Sequence, residues 1–356
     1  MDTTQINTEQ CRTLVNRIRG QTIDVPDILS TIYNNPTIGL NDTDYLKPHY
    51  EKWLATYVST ESQRIKQRKV NTPLMTSYFY STAPKESLPI LFSTVAWAFL
   101  WDDQVDSGSL TLGQVATYCN DSIAYIRSCL QPERNITPPP PGRLHNCECF
   151  AEIGRAMQHG QSRADRDRYA DALADYINGV REASASWQEG VSSIEDFVER
   201  RIRTIDVVPT LYPNAWGCGL KLPEAIWNGE PLNRMIREVS IGVAMWNDVY
   251  SLKKELAQME MDNIVPLLVY HHDVSAQEAV EMVIELLRKS YDDFCAAAER
   301  LEADVQRADV AVKKSVKVWK EACLDVLLGH VAWSMQVPRY MLGAGLKGGA
   351  AFKVVL

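Results

Sequence analysis

A chain of 356 residues, 46% hydrophobic and 23% charged, has the composition of a globular protein and can bury a large core as one big domain or two ordinary ones. Its formal net charge of −8 argues against a nucleic-acid polyanion as partner, with Arg200-Arg201-Ile202-Arg203 as a local basic exception. The polar start, Met1 to Gln5, carries no signal pattern, and the longest apolar stretch, 89–101, falls short of the roughly 20 residues that span a bilayer, so the expectation is no membrane and a cytoplasmic location.

In chain order, apolar periodicity predicts helices over 48–68, 87–105, 111–130, 145–160, 165–188, 195–210, 231–260, 275–303 and 308–336, and alternating strands are absent. Breakers punctuate the chain: Asn34-Asn35-Pro36 within an N-terminal segment of residues 1–40, Ser107-Gly108, and the tetraproline Pro138 to Pro141. Helices of the same character flank the tetraproline, which therefore reads as a stiff loop rather than a domain boundary. The Gly- and Lys-rich tail, 343–356, is expected to be mobile or to edge a lid. No repeat is visible. The expectation is one all-α domain, 1–356, with its helices around a central cavity. The eight cysteines (Cys11, Cys119, Cys129, Cys147, Cys149, Cys218, Cys295 and Cys323) are scattered and read as reduced thiols. Cys147-Glu148-Cys149 is too tight for zinc spacing, and no His/Cys group completes it.

Two polar strings stand out. Asp102-Asp103-Gln104-Val105-Asp106 follows the apolar run Leu91 to Trp101, and residues four apart on a helix share a face, so Asp102 and Asp106 project together. Several Asp residues at a helix end are often merely solvated. A helix this apolar is buried, however, and carboxylates at its end face a cavity mouth, where they repel one another unless a cation intervenes. The second string runs from Asn247 to Glu255. Asn247, Ser251, Lys254 and Glu255 fall within an arc of roughly 100°, while Val243, Trp246, Val249 and Tyr250 can pack inward. A polar outer face would be the plain reading, but it leaves the neutral Asn and Ser ahead of the Glu unexplained. Carboxylate, amide and hydroxyl oxygens without His or Cys suit a hard cation such as Mg2+. No nucleophilic triad is apparent.

With both strings in view, the chain resembles the class I terpene synthases of the single-domain microbial and fungal type. The resemblance implies an all-α bundle around a central active-site cavity, and Mg2+-dependent ionisation of a prenyl diphosphate. Farnesyl diphosphate is the expected substrate and a cyclised sesquiterpene the expected product, with diphosphate released. By the same resemblance Asp102, Asp106, Asn247, Ser251 and Glu255 are metal ligands for three Mg2+ ions, and Lys254 touches the diphosphate. A diphosphate-sensing Arg is expected 46 residues before the Asn and is Arg201 here; an Arg-Tyr pair, Arg339-Tyr340, follows at 92 and is preceded by Trp333. Aromatic faces stabilise desolvated cations by roughly 0.5–2 kcal/mol, which makes Phe99 and Trp333, and after them Trp97 and Phe92, candidate cavity walls. The family usually breaks a helix at a small residue just after the sensor Arg. Here the sequence is Thr204-Ile205-Asp206-Val207-Val208-Pro209, leaving Asp206 or Pro209 to make the break. C20 or C10 diphosphates are alternative substrates with the same sites, and a helical binding protein without catalysis is the alternative outside enzymes. A chain-elongating prenyltransferase would carry a second aspartate-rich string. The protein would be a monomer or homodimer.

Overall fold

Apolar residues recurring every three or four positions fold as helices along nearly the whole chain in the computed structural model, which describes residues 3–106, 109–140, 144–186, 191–259, 261–340 and 351–356. The helices expected at 87–105, 111–130, 165–188, 231–260, 275–303 and 308–336 are Leu88–Val105, Leu112–Leu130, Arg163–Ser186, Glu230–Gln258, Ala276–Asp304 and Val310–Ser334. Their buried apolar side chains join one connected core that runs from Val15 to Val354. The two 29-residue helices, Glu230–Gln258 and Ala276–Asp304, pack against each other and form the most extensive helix pair. Glu230–Gln258 also meets Val310–Ser334 closely: a Cβ on Gly242 would lie 2.6 Å from Leu327 Cδ1. That glycine lets the helix bearing Asn247 approach the helix bearing Trp333.

Three expected helices are interrupted, each for a local reason. Instead of 48–68 there are Thr43–Tyr57 and Glu61–Val70, because Thr60 and Gln63 form a capping box that starts a new helix. A 3-10 turn, His145–Cys147, precedes Phe150–Gln158 where 145–160 was expected. The 195–210 segment breaks at Ile205-Asp206 into Ile194–Thr204 and Val207–Gly217, with Asp206 in the left-handed region at φ 60°. Pro209 is the third residue of the second helix, where a missing N–H costs no intrahelical bond, so it is not the breaker.

Two strands escape the helical pattern. Thr22–Val25 pairs antiparallel with Phe352–Val355, Thr22 opposite Val355 and Val25 opposite Phe352. The end of the tail is therefore tied down, not mobile. Phe352 and Val354 are buried, the Phe352 ring lies 5.2 Å from that of Tyr250, and the Leu356 N–H donates to the Gln21 carbonyl at 2.9 Å. Four-residue strands are too short to show their alternation against a helical background. The rest of the expected tail, 343–350, lies outside the described residues, as do the breakers Ser107-Gly108 and Pro141. Among the described residues no helix is long and apolar enough to cross a membrane, and the seven described cysteines, all but Cys11, are free.

Candidate active site

The aspartate-bearing helix, Leu88–Val105, is buried over most of its length and ends at Asp106. Its Phe99, Asp102 and Asp106 line a cavity of about 750 Å³. Asp103 points elsewhere: Lys66 Nζ lies 2.6 Å from Oδ1, and Gln67 Nε2 donates to Oδ2 at 3.2 Å. Lys66 and Gln67 thus occupy one carboxylate of the string and leave the other two to the cavity. Burial and the neighbouring Asp106 push Asp102 up to about 7, and burial with the nearby Asp103 raises Asp106. The Tyr176 hydroxyl donates to Asp102 Oδ1 at 3.5 Å.

The same cavity is lined by Asn247, Lys254 and Glu255 from the central helix, Arg201 from Ile194–Thr204, and Arg339 and Tyr340 from a 3-10 turn, Pro338–Tyr340. Arg201 donates from Nη2 to Asn247 Oδ1 at 3.1 Å and to Asp248 Oδ1 at 2.7 Å. Burial alone would lower its pKa, but the Asp248 carboxylate overrides this and keeps the guanidinium charged. Arg200 and Arg203 of the same basic cluster face their own acids, Asp262 at 2.5 Å and Asp175 at 3.0 Å. Asn247 Nδ2 donates to the Tyr340 hydroxyl at 3.2 Å, and burial pushes that phenol up to about 12.

Ser251 is buried and is not part of the cavity lining. Its hydroxyl makes no well-formed hydrogen bond, although it lies near enough to Glu255 to ease ionisation of a carboxyl that burial raises. Glu255 Oε2 accepts from Asn263 Nδ2 at 2.8 Å. Among the described residues no three His, Cys, Asp or Glu side chains converge closely enough to hold a metal by themselves. The donors present still fit a hard divalent cation: all are oxygens, one hydroxyl lacks a partner, and Mg2+ is commonly held by one or two carboxylates with water and substrate phosphates.

The aromatic candidates divide. Phe99 and Trp333 line the cavity with ring centroids 5.8 Å apart, and the Arg339 guanidinium lies 5.2 Å from the Phe99 ring. The Trp333 indole donates to the Val70 carbonyl at 2.8 Å, which fixes its plane. Trp97 and Phe92 sit in the packed core instead. Trp97 is edge-on to Phe150 at 4.9 Å and donates to Cys147 Sγ, while Phe92 packs on Tyr50 and Trp53. Phe92→Leu is therefore expected to cost about 1 kcal/mol in urea unfolding without altering the reaction products. A changed product profile would put its ring against the substrate.

Sequence reasoning missed several polar groups. Asp248 has a fully buried carboxyl that accepts the Ile264 N–H at 3.0 Å as well as Arg201. Its signal was available: Asp248 lies between Ala244 and Leu252 on an apolar stripe, where a charge demands a partner. Asn263 bonds both the Asp248 carbonyl, at 2.6 Å, and Glu255. Asp206 and His330 also line the cavity; burial pushes His330 down to about 3, so it is neutral.

The raised Asp102 has a measurable sign. Its folded pKa lies above the ordinary 3.8, so between about 4 and 7 the folded metal-free protein binds a proton that the unfolded chain does not, and this contribution to stability is lost as pH rises. Asp102→Asn is expected to gain in melting temperature relative to wild type on going from pH 5 to 7.5 in EDTA. A gap independent of pH would remove Asp102 as the source.

Residues 93–293 match the family described as terpene synthase family 2, C-terminal metal binding. The chain is 29% identical to terpene cyclase braA of Annulohypoxylon truncatum, covering 95% of this chain and 91% of that protein. It is 28% identical to isoafricanol synthase of Streptomyces malaysiensis, over 84% of this chain and 78% of that one. In fold it matches α-eudesmol synthase with a TM-score of 0.75 at 19% identity, covering 85% and 97% of the two chains. A linalool/nerolidol synthase from Streptomyces clavuligerus in complex with 2-fluorogeranyl diphosphate matches with a TM-score of 0.71 at 21% identity, over 84% and 100%. The match over residues 93–293 carries both polar strings and the helices that place them on one cavity, and the chain belongs to terpene synthase family 2.

Proposed function

We propose that this protein is a Mg2+-dependent sesquiterpene synthase, working as a single domain, that ionises farnesyl diphosphate and cyclises the allyl cation with release of diphosphate. The observation that carries the reading is the polarity of one cavity. It gathers the carboxylates of Asp102, Asp106 and Glu255, the donors Asn247, Lys254, Arg201, Arg339 and Tyr340, and a lining of Phe99, Val95, Val243 and Trp333.

In this reading Asp102 and Asp106 would hold cations from the aspartate-bearing helix, and Asn247 and Glu255, with Ser251 behind the lining, would hold another from the central helix. Divalent cations bound there neutralise the charge that develops on the departing diphosphate. Arg201, Lys254, Arg339 and the Tyr340 hydroxyl aim donors at the same phosphate oxygens, and a guanidinium fork suits them geometrically. Arg201 is already oriented by Asp248 and Asn247, so little reorganisation opposes ionisation. Beyond the polar mouth, Phe99 and Trp333 offer ring faces to a cation that must not meet bulk water.

Purified protein treated with EDTA is expected to release no diphosphate from farnesyl diphosphate, and added Mg2+ to restore release together with a cyclic C15 product. Parallel incubations with C10 and C20 diphosphates test the substrate. Full turnover in EDTA would overturn the mechanism, and preference for another chain length would overturn the substrate.

A further inference from the structure

Asp206 stands between the helices Ile194–Thr204 and Val207–Gly217 with φ 60° and ψ 18°, a conformation that glycine adopts more readily than aspartate. An aspartate just before a helix ordinarily accepts one of the first free N–H groups, yet Asp206 makes no such capping bond. Its side chain lines the cavity instead. There Oδ1 is buried with no hydrogen-bond partner, and Oδ2 accepts only a long bond from Thr210 Oγ1, at 3.5 Å. Thr210 is itself held in place, its carbonyl accepting the Tyr80 hydroxyl at 3.0 Å. A strained backbone, a forgone cap and an unsatisfied buried oxygen thus meet at one residue of the cavity wall. Such features concentrate where a site uses them.

We propose that Asp206, with Thr210 beside it, holds the water that captures the final carbocation, so that the product is a terpene alcohol. The proposal rests on the synthase reading above and adds how the reaction ends. A water that gives one hydrogen to Oδ1 presents its free lone pairs to the cavity. Burial raises the Asp206 carboxyl well above the usual carboxylate range, with the charge of Asp102 adding to the effect, which favours the neutral form. A neutral carboxyl keeps an acceptor oxygen, is a weak acid toward an alkene, and is not an anion that the cation would alkylate. In the capture step the water oxygen forms a C–O bond to the cationic carbon. The resulting oxonium then gives its proton to the diphosphate freed at ionisation. The sum is a diphosphate ester plus water going to an alcohol plus diphosphate.

Turnover of farnesyl diphosphate in oxygen-18 water tests this, read as the ratio of alcohol to hydrocarbon among the products formed. Wild type is expected to give an alcohol carrying one oxygen-18. Asp206→Gly, which suits the left-handed backbone but lacks the carboxyl, is expected to lower the ratio by about tenfold or more. Asp206→Asn, which keeps an acceptor oxygen and also tolerates this backbone, is expected to stay within about threefold of wild type. Wild-type products that are hydrocarbons alone, an unchanged ratio in Asp206→Gly, or an Asn variant as depleted as the Gly variant would each overturn the proposal while leaving the synthase reading intact. Absence of diphosphate release from wild type would instead overturn the synthase reading, and this proposal with it.

Discussion

Glu255→Gln and Asn247→Leu are each expected to slow diphosphate release from farnesyl diphosphate by about 100-fold or more, with circular dichroism unchanged. Glu255 is the one carboxylate that the central helix turns to the cavity among the described residues, and a cation with few protein ligands loses much when one of them goes. Gln preserves the size of Glu255 and can still accept from Asn263, so the loss would report the missing charge and not a collapsed helix end. Asn247 additionally orients Arg201 and Tyr340, at 3.1 and 3.2 Å, so its replacement removes an oxygen ligand and loosens two diphosphate donors together. Near-normal turnover in either variant would reassign this helix face to mere surface.

The buried pair behind those ligands supports the second large effect. Asp248→Ala leaves the Arg201 guanidinium enclosed beside the cavity without its carboxylate, and a broken buried ion pair costs about 3–5 kcal/mol. Chemical unfolding should show a loss of this size. The double variant Asp248→Leu with Arg201→Met removes both charges and is expected to recover much of the stability while remaining inactive, since the diphosphate donor is gone. A single variant that loses less than about 1 kcal/mol would show that Arg201 finds its counter-charge elsewhere.

Much of the site was legible because helix geometry is local. Spacings of four put Asp102 with Asp106 and Asn247 near Glu255, and those residues line one cavity. The separation of 46 that singled out Arg201 corresponds to a direct 3.1 Å bond to Asn247. Trp97 and Phe99, two residues apart on the same helix, show where legibility ended. A helix apolar on every side carries no periodic mark of which face meets substrate and which meets Phe150. The break at Asp206 has two candidates in the sequence, because a left-handed aspartate has no signature as firm as glycine or proline. The apolar stripe shows that Asp248 needs a partner but not which one: Arg201 and Ile264 are brought to it by the fold and not by spacing. The small sheet joins segments from opposite ends of the chain, so no local window contains it.

That sheet also imposes an order on the making of the protein. Val355, the partner of Thr22, is translated 333 residues after it. At about 5–20 residues per second, the first strand waits roughly 15–70 s for the second to leave the ribosome. During that interval Ile23 and Val25, both buried in the finished molecule, have no strand to cover them. Until then this segment of the nascent chain is open to chaperones and proteases, and the sheet closes only after the helices between its strands have been synthesised. A nonsense codon at Phe352 would remove the second strand and leave that exposure permanent.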